Sequence, residues 1–242
     1  MNLILILLKV INFVFFFFLV KKYFHKFFTT VFLTIFFIIS PWQTQINQEK
    51  ILIALFLSIL FFLIVTFKKE TLNLKYLLVV FLLLFLPSLF LITNKFQVQN
   101  SPLNLNQESI THIILYQNIL KPLNPVFSRL YTNKVSEIVK NSEINFFETF
   151  NLNYYFFANH PLERVGVKET EKFYSWLLPF FIVGCISLTW IIHKPIVIWV
   201  ACVFIFSSLF SNRFSELNFL LMIPFLLIIG LGFEKIRNEI KS

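Results

Sequence analysis

The side chains best suited to chemistry sit close together in His160-Pro161-Leu162-Glu163-Arg164, with Gly166 two positions beyond. His160 and Glu163 can act as a general acid and base, and Arg164 can hold a phosphate through paired hydrogen bonds. The same His and Glu can also contribute to a metal site, although their spacing matches no recognised ligand pattern. A histidine beside a proline is also a common structural feature of loops. The chain contains no Asp, so any carboxylate role falls to one of its 12 Glu.

The elements that must position these groups are membrane helices. The chain of 242 residues is 57% hydrophobic and only 14% charged, against about 25% charged in soluble domains. Apolar runs predict seven spans: residues 3–20, 27–40, 51–67, 76–92, 176–192, 195–210 and 217–233. The second is only fourteen residues long, a length that also suits a re-entrant or interfacial segment. Lys9 interrupts the first span and can snorkel toward the headgroups. The expected fold class is therefore all-α and polytopic, with four N-terminal spans (1–93), a long partly helical loop (94–175), and three C-terminal spans with a tail (176–242).

Basic residues set the expected orientation. Lys21, Lys22, Lys26, Lys68, Lys69, Lys75, Lys194, Lys235, Arg237 and Lys241 fall on one side, whereas the opposing short loops hold only Lys50 and Arg213. The positive-inside rule then places the N-terminus outside, the C-terminus in the cytoplasm and residues 94–175 outside. The net charge of +9 follows mostly from this topology and suits anionic lipid headgroups, not nucleic acid. His193 and Lys194 read as a tight turn, making spans five and six an antiparallel hairpin. Gly184, Cys185, Ser187, Ala201 and Cys202 supply small side chains for close helix contact there. Both cysteines lie in apolar runs and read as packing residues with no disulfide framework.

In the long loop, Asn106 can cap a helix running to Leu120, and Asn124-Pro125 starts another reaching about Lys140. In the second helix Phe127, Leu130, Tyr131, Val135, Ile138 and Val139 form an apolar stripe, with Arg129, Lys134, Glu137 and Lys140 between them. That stripe suits packing on the spans, lying along the membrane surface, or lining a substrate groove. From residue 145 to 160 seven aromatic side chains crowd together, too many for a solvated loop.

Phe146-Phe147, residues 155–161 (Tyr-Phe-Phe-Ala-Asn-His-Pro), Gly166, Phe173-Tyr174 and residues 178–184 (Leu-Pro-Phe-Phe-Ile-Val-Gly) resemble the late loop and following helix of bacterial GT-C-type glycosyltransferase-like proteins. That group is related to the dolichyl-phosphate-mannose protein mannosyltransferases. The resemblance implies a multi-span envelope protein that moves a sugar from a polyprenyl-phosphate donor, with this loop covering the donor. It implies that His160, Glu163 and Arg164 form the donor-phosphate neighbourhood, and that the chain corresponds to the second, non-catalytic half of such an architecture. No cofactor is specified. The alternative is a non-enzymatic membrane scaffold or assembly partner of another membrane protein. A transporter, which needs polar or broken helices at mid-membrane, has only Lys9, Pro87 and Pro224 in its favour.

Overall fold

The computed structural model describes residues 3–45, 49–67, 102–103, 105, 107–157, 171–210 and 216–241. The described residues form helices and connecting turns. Within α1 (Leu3–Phe24) no Pro or Gly interrupts the apolar run, and Lys21 and Lys22 occupy its last turn, where cations complement the helix dipole. His25 ends it in the left-handed region at φ 54. α2 (Phe27–Ile39) stops at Ser40, which precedes Pro41. A short α3 (Pro41–Gln45) and the long α4 (Glu49–Phe67) follow.

Further along the chain are α5 (Gln107–Leu120), α6 (Pro125–Tyr131), α7 (Lys134–Phe150) and α8 (Leu152–Phe156). The last three helices are α9 (Leu178–Ser187), α10 (Trp190–Phe210) and α11 (Met222–Lys241). Short 3-10 helices, Ser175–Leu177 and Glu216–Leu221, lead into α9 and α11.

Among the described residues, four helical segments are long and apolar enough to cross a membrane: Leu3–Phe24, Glu49–Thr66, His193–Phe210 and Leu217–Lys241. Phe27–Ile39 and Ser175–Ser187 are apolar but shorter. At about 1.5 Å per residue, the 22 residues of α1 reach across roughly 30 Å of hydrocarbon. The chain is thus built as a membrane protein, and the sequence's fourth span, 76–92, lies outside the described residues.

The chain divides into two compact units. One comprises Met1–Leu91, Asn151–Val203 and Phe219–Ser242, the other Ile92–Phe150 and Phe204–Asn218. In the first unit, α1 presents Leu3, Leu7, Val10, Val14 and Phe18 outward at helical spacing, while Asn12, Phe16, Leu19 and Val20 face inward. The outward stripe is what lipid would cover. Asn12 Nδ2 donates to the carbonyl of Leu52 at 2.9 Å, tying α1 to α4 through a buried polar contact. From Met222 to Gly230 every residue of α11 is buried, making this helix the post around which the unit is arranged.

Pairing at that post depends on glycine. A methyl group at Gly184 would land on the backbone carbonyl of Ile228, and one at Gly232 on that of Phe180. The backbones of α9 and α11 therefore touch, as small residues allow in membrane helices. The sequence reading had assigned Gly184 to a close contact with span six, but it serves the last helix instead. The break between spans five and six also lies elsewhere. α9 ends at Ser187 and Leu188 is extended, whereas His193 is only a kink within α10 (φ −110, ψ 19), two residues before Pro195. Pro195 cannot donate an amide to the preceding turn, so the helix bends there without stopping.

Since a side chain at Gly232 meets rigid backbone, Gly232→Ala is expected to cost about 3 kcal/mol, the upper part of the overpacking range. Thermal denaturation in detergent checks this against Ile186→Ala on the exposed face of α9, which is expected to change the midpoint little.

Candidate functional site

His160, Glu163 and Arg164 lie outside the described residues, between Phe157 and Glu171. The described chain on either side is tightly tied within the first unit. The amides of Lys172 and Phe173 both donate to the carbonyl of Tyr155, at 2.9 and 2.7 Å. The carbonyl of Lys172 in turn accepts from the Trp42 amide at 3.2 Å and from Ser40 Oγ at 2.8 Å. Tyr174 donates its hydroxyl to the carbonyl of Ile39 at 3.1 Å. Trp42 is fully buried, its ring 5.3 Å from that of Phe173 and 5.5 Å from that of Phe219.

Tyr155 joins the same aromatic cluster. Its burial, and then the neighbouring Tyr154, hold its phenol pKa well above the ordinary value, so it stays neutral and serves packing. The aromatic run is expected to be buried or dipped into the membrane interface, and its members divide between buried and exposed positions. Tyr155 and Phe156 are buried, while Phe147 and Phe150 are exposed by 60% and 57%.

A second arrangement lies wholly within the other unit. Asn124 caps α6, its Oδ1 accepting from the amides of Val126 and Phe127 at 2.9 and 3.1 Å, with Pro125 in the first turn. The helix then breaks where the sequence pattern predicted continuity. Asn133 and Ser136 exchange amide-to-side-chain hydrogen bonds at 2.9 Å each way, so α7 starts afresh with its own cap. Gln117 of α5 fixes this junction, donating to the carbonyl of Thr132 at 2.6 Å and accepting from Ser128 Oγ at 2.9 Å through its backbone carbonyl.

The result is an open groove of about 600 Å³ between α5, α6 and α7. His112 and Tyr116, one helical turn apart, come from α5, and their rings are 5.8 Å apart. α7 contributes Glu137, Lys140 and Glu143, and Leu130 and Val139 add apolar wall. Such a lining can hold a polar ligand by its hydroxyls and a phosphate by the ammonium, and His112 can exchange a proton. Sequence reading counted Glu137 and Lys140 only as the polar side of a stripe. The signal it passed over was the turn spacing of His112 and Tyr116, on a helix whose apolar residues do not gather on one face.

Lys9 borders a smaller cavity of about 280 Å³ with Gln43, whose Oε1 is buried with no hydrogen-bond partner among the described residues. Among the described residues no three His, Cys or Glu side chains gather as a metal site needs. Cys185 and Cys202 are free thiols. Compared with known proteins, the chain matches no family model, no curated protein and no solved structure.

Removing the clasp at the helix junction should loosen the groove. Gln117→Ala is expected to lower stability by about 1 kcal/mol, the net worth of one hydrogen bond, and to speed limited proteolysis around residues 121–133.

Proposed function

We propose that this membrane protein belongs to the cell envelope and serves lipid-linked sugar transfer, as a divergent or split component akin to the non-catalytic half of GT-C glycosyltransferases. The observation that supports this reading is the amphipathic lining of the groove between α5 and α7. A polyprenyl-phosphate sugar needs an apolar wall, a cation for its phosphate and acceptors for its hydroxyls. Leu130 and Val139, Lys140, and Glu137 with Glu143 supply these in turn. The stretch from about 145 to 184 that resembles the GT-C proteins adds His160, Glu163 and Arg164 as a donor-phosphate neighbourhood. On this reading both sets of residues lie outside the cytoplasm, where the positive-inside rule puts residues 94–175.

Binding of a polyprenyl-phosphate sugar to the purified protein in detergent tests the proposal. Saturable binding is expected, weakened roughly tenfold by Lys140→Gln, Arg164→Ala or Glu163→Gln, a loss typical of one charge-assisted hydrogen bond. Well-folded protein that binds no donor, or binds it indifferently to all three changes, would overturn it.

One observation favours the alternative of a scaffold or assembly partner. Val126, Leu130 and Val135 leave an apolar ridge 65%, 70% and 67% exposed along α6 and the start of α7. On that reading, Val126→Lys with Val135→Lys abolishes a protein cross-link formed in native membranes. On the first reading the same double variant keeps full donor affinity.

A further inference from the structure

At one end of the first unit, α1, α4, α10 and α11 surround a cavity of about 620 Å³. Its rim is basic: Lys22 and His25 close α1, and His193 and Lys194 stand at the kink of α10. Two backbone irregularities put them there. His25 turns the chain in the left-handed conformation at φ 54. His193 leaves helical geometry ahead of Pro195, and its Nδ1 lies 2.6 Å from the hydroxyl of Tyr23. The left-handed turn at His25 and the kink at His193 together gather basic and donor groups around one space.

The acid on the rim is Glu234, and it is engaged elsewhere. Its carboxylate meets Lys26 Nζ at 3.5 Å and accepts from Thr29 Oγ1 at 3.1 Å, which directs its charge toward α2. Among the described residues neither His25 nor Lys194 takes part in an ion pair. The rim carries two lysines, Lys22 and Lys194, against one glutamate whose carboxylate is held by Lys26 and Thr29.

Lys22 and His25 also border a second, shallower groove of about 470 Å³, together with Lys21 and the apolar walls Phe15, Phe18 and Leu63. Phe18 is 55% exposed on the outward stripe of α1, so this groove runs along the surface that lipid would cover. The chamber and the apolar groove thus share Lys22 and His25, and Lys21 adds a second lysine beside the groove. That is the division of labour an amphiphile with an anionic head requires.

We infer that this paired cavity is a binding site for an anionic phospholipid, with its phosphate among Lys22, His25, His193 and Lys194 and an acyl chain along Phe15, Phe18 and Leu63. The site is separate from the groove between α5 and α7 and stands or falls independently of it. A diacyl lipid and a soluble phosphate ester share the phosphate chemistry, and the apolar groove favours the lipid.

Native mass spectrometry of the full chain tests this, with protein released from micelles holding equal phosphatidylglycerol and phosphatidylcholine of identical acyl chains. Phosphatidylglycerol should be retained preferentially. Lys22→Gln and Lys194→Gln should each lower that preference about fivefold, the factor corresponding to one basic residue at a membrane surface. Lys235→Gln, on the exposed side of α11 in an i,i+4 pair with Glu239, controls for net charge and should leave the preference unchanged. Equal retention of the two lipids, or an equal loss in Lys235→Gln, overturns the inference. Displacement of the lipid by millimolar glycerol 3-phosphate overturns the lipid assignment and makes the occupant a soluble phosphate ester.

Discussion

Within the membrane unit the arrangement depends on one steric condition, the contact of backbone with backbone where α9 crosses α11. Lipid tails are as apolar as Leu side chains, so burial alone does not drive helices together inside a bilayer. Close packing must do so, and it needs surfaces without side chains. Gly184 lies against Ile228 and Gly232 against Phe180, each with no room for a methyl group. Gly230 instead leaves room for side chains of α1 and α2, since a methyl there would reach the ring of Phe24 and the Leu33 side chain at 2.7 and 2.5 Å. α11 can be buried from Met222 to Gly230 because its neighbours approach this near.

Polar and aromatic groups then tie one element to another. Thr29, Lys26 and Glu234 join α2 to α11, and Arg237 stands 4.5 Å over the ring of Phe28. Trp199 anchors α10 by donating its indole N–H to the carbonyl of Leu220 at 2.9 Å. At the other end of α2, Ser40 and Trp42 hold the returning strand of chain at Lys172. Each such group is satisfied by a partner on a different element, as a low-dielectric setting requires.

How much of this could be read in advance varied with the physics behind each feature. Apolar runs reveal depth, and the ends of α1, α2 and α4 fell within a few residues of expectation for that reason. The Asn124-Pro125 start of α6 was legible because capping is a local interaction. Partner choice was not, since nothing near Gly184 in sequence indicates that it meets Ile228, 44 positions later. His193 and Lys194 looked like a turn because they interrupt hydropathy. The chain there keeps its course across a kink at His193, so α10 has helix on both sides of the interruption. The groove side chains His112, Glu137 and Glu143 are spread over two helices, so their convergence depends on the break at Thr132 and Asn133 that no periodicity announces. The motif around His160 was found by resemblance and by its density of polar groups, and lies outside the described residues.

On the proposed reading the α5 to α7 groove receives a polyprenyl-phosphate ligand. The most direct test is photo-cross-linking in proteoliposomes with a photoactivatable polyprenyl-phosphate sugar, followed by peptide mapping. The account expects adducts within residues 107–150, suppressed by excess unlabelled donor. Adducts confined to other segments, or unaffected by the competitor, would contradict it.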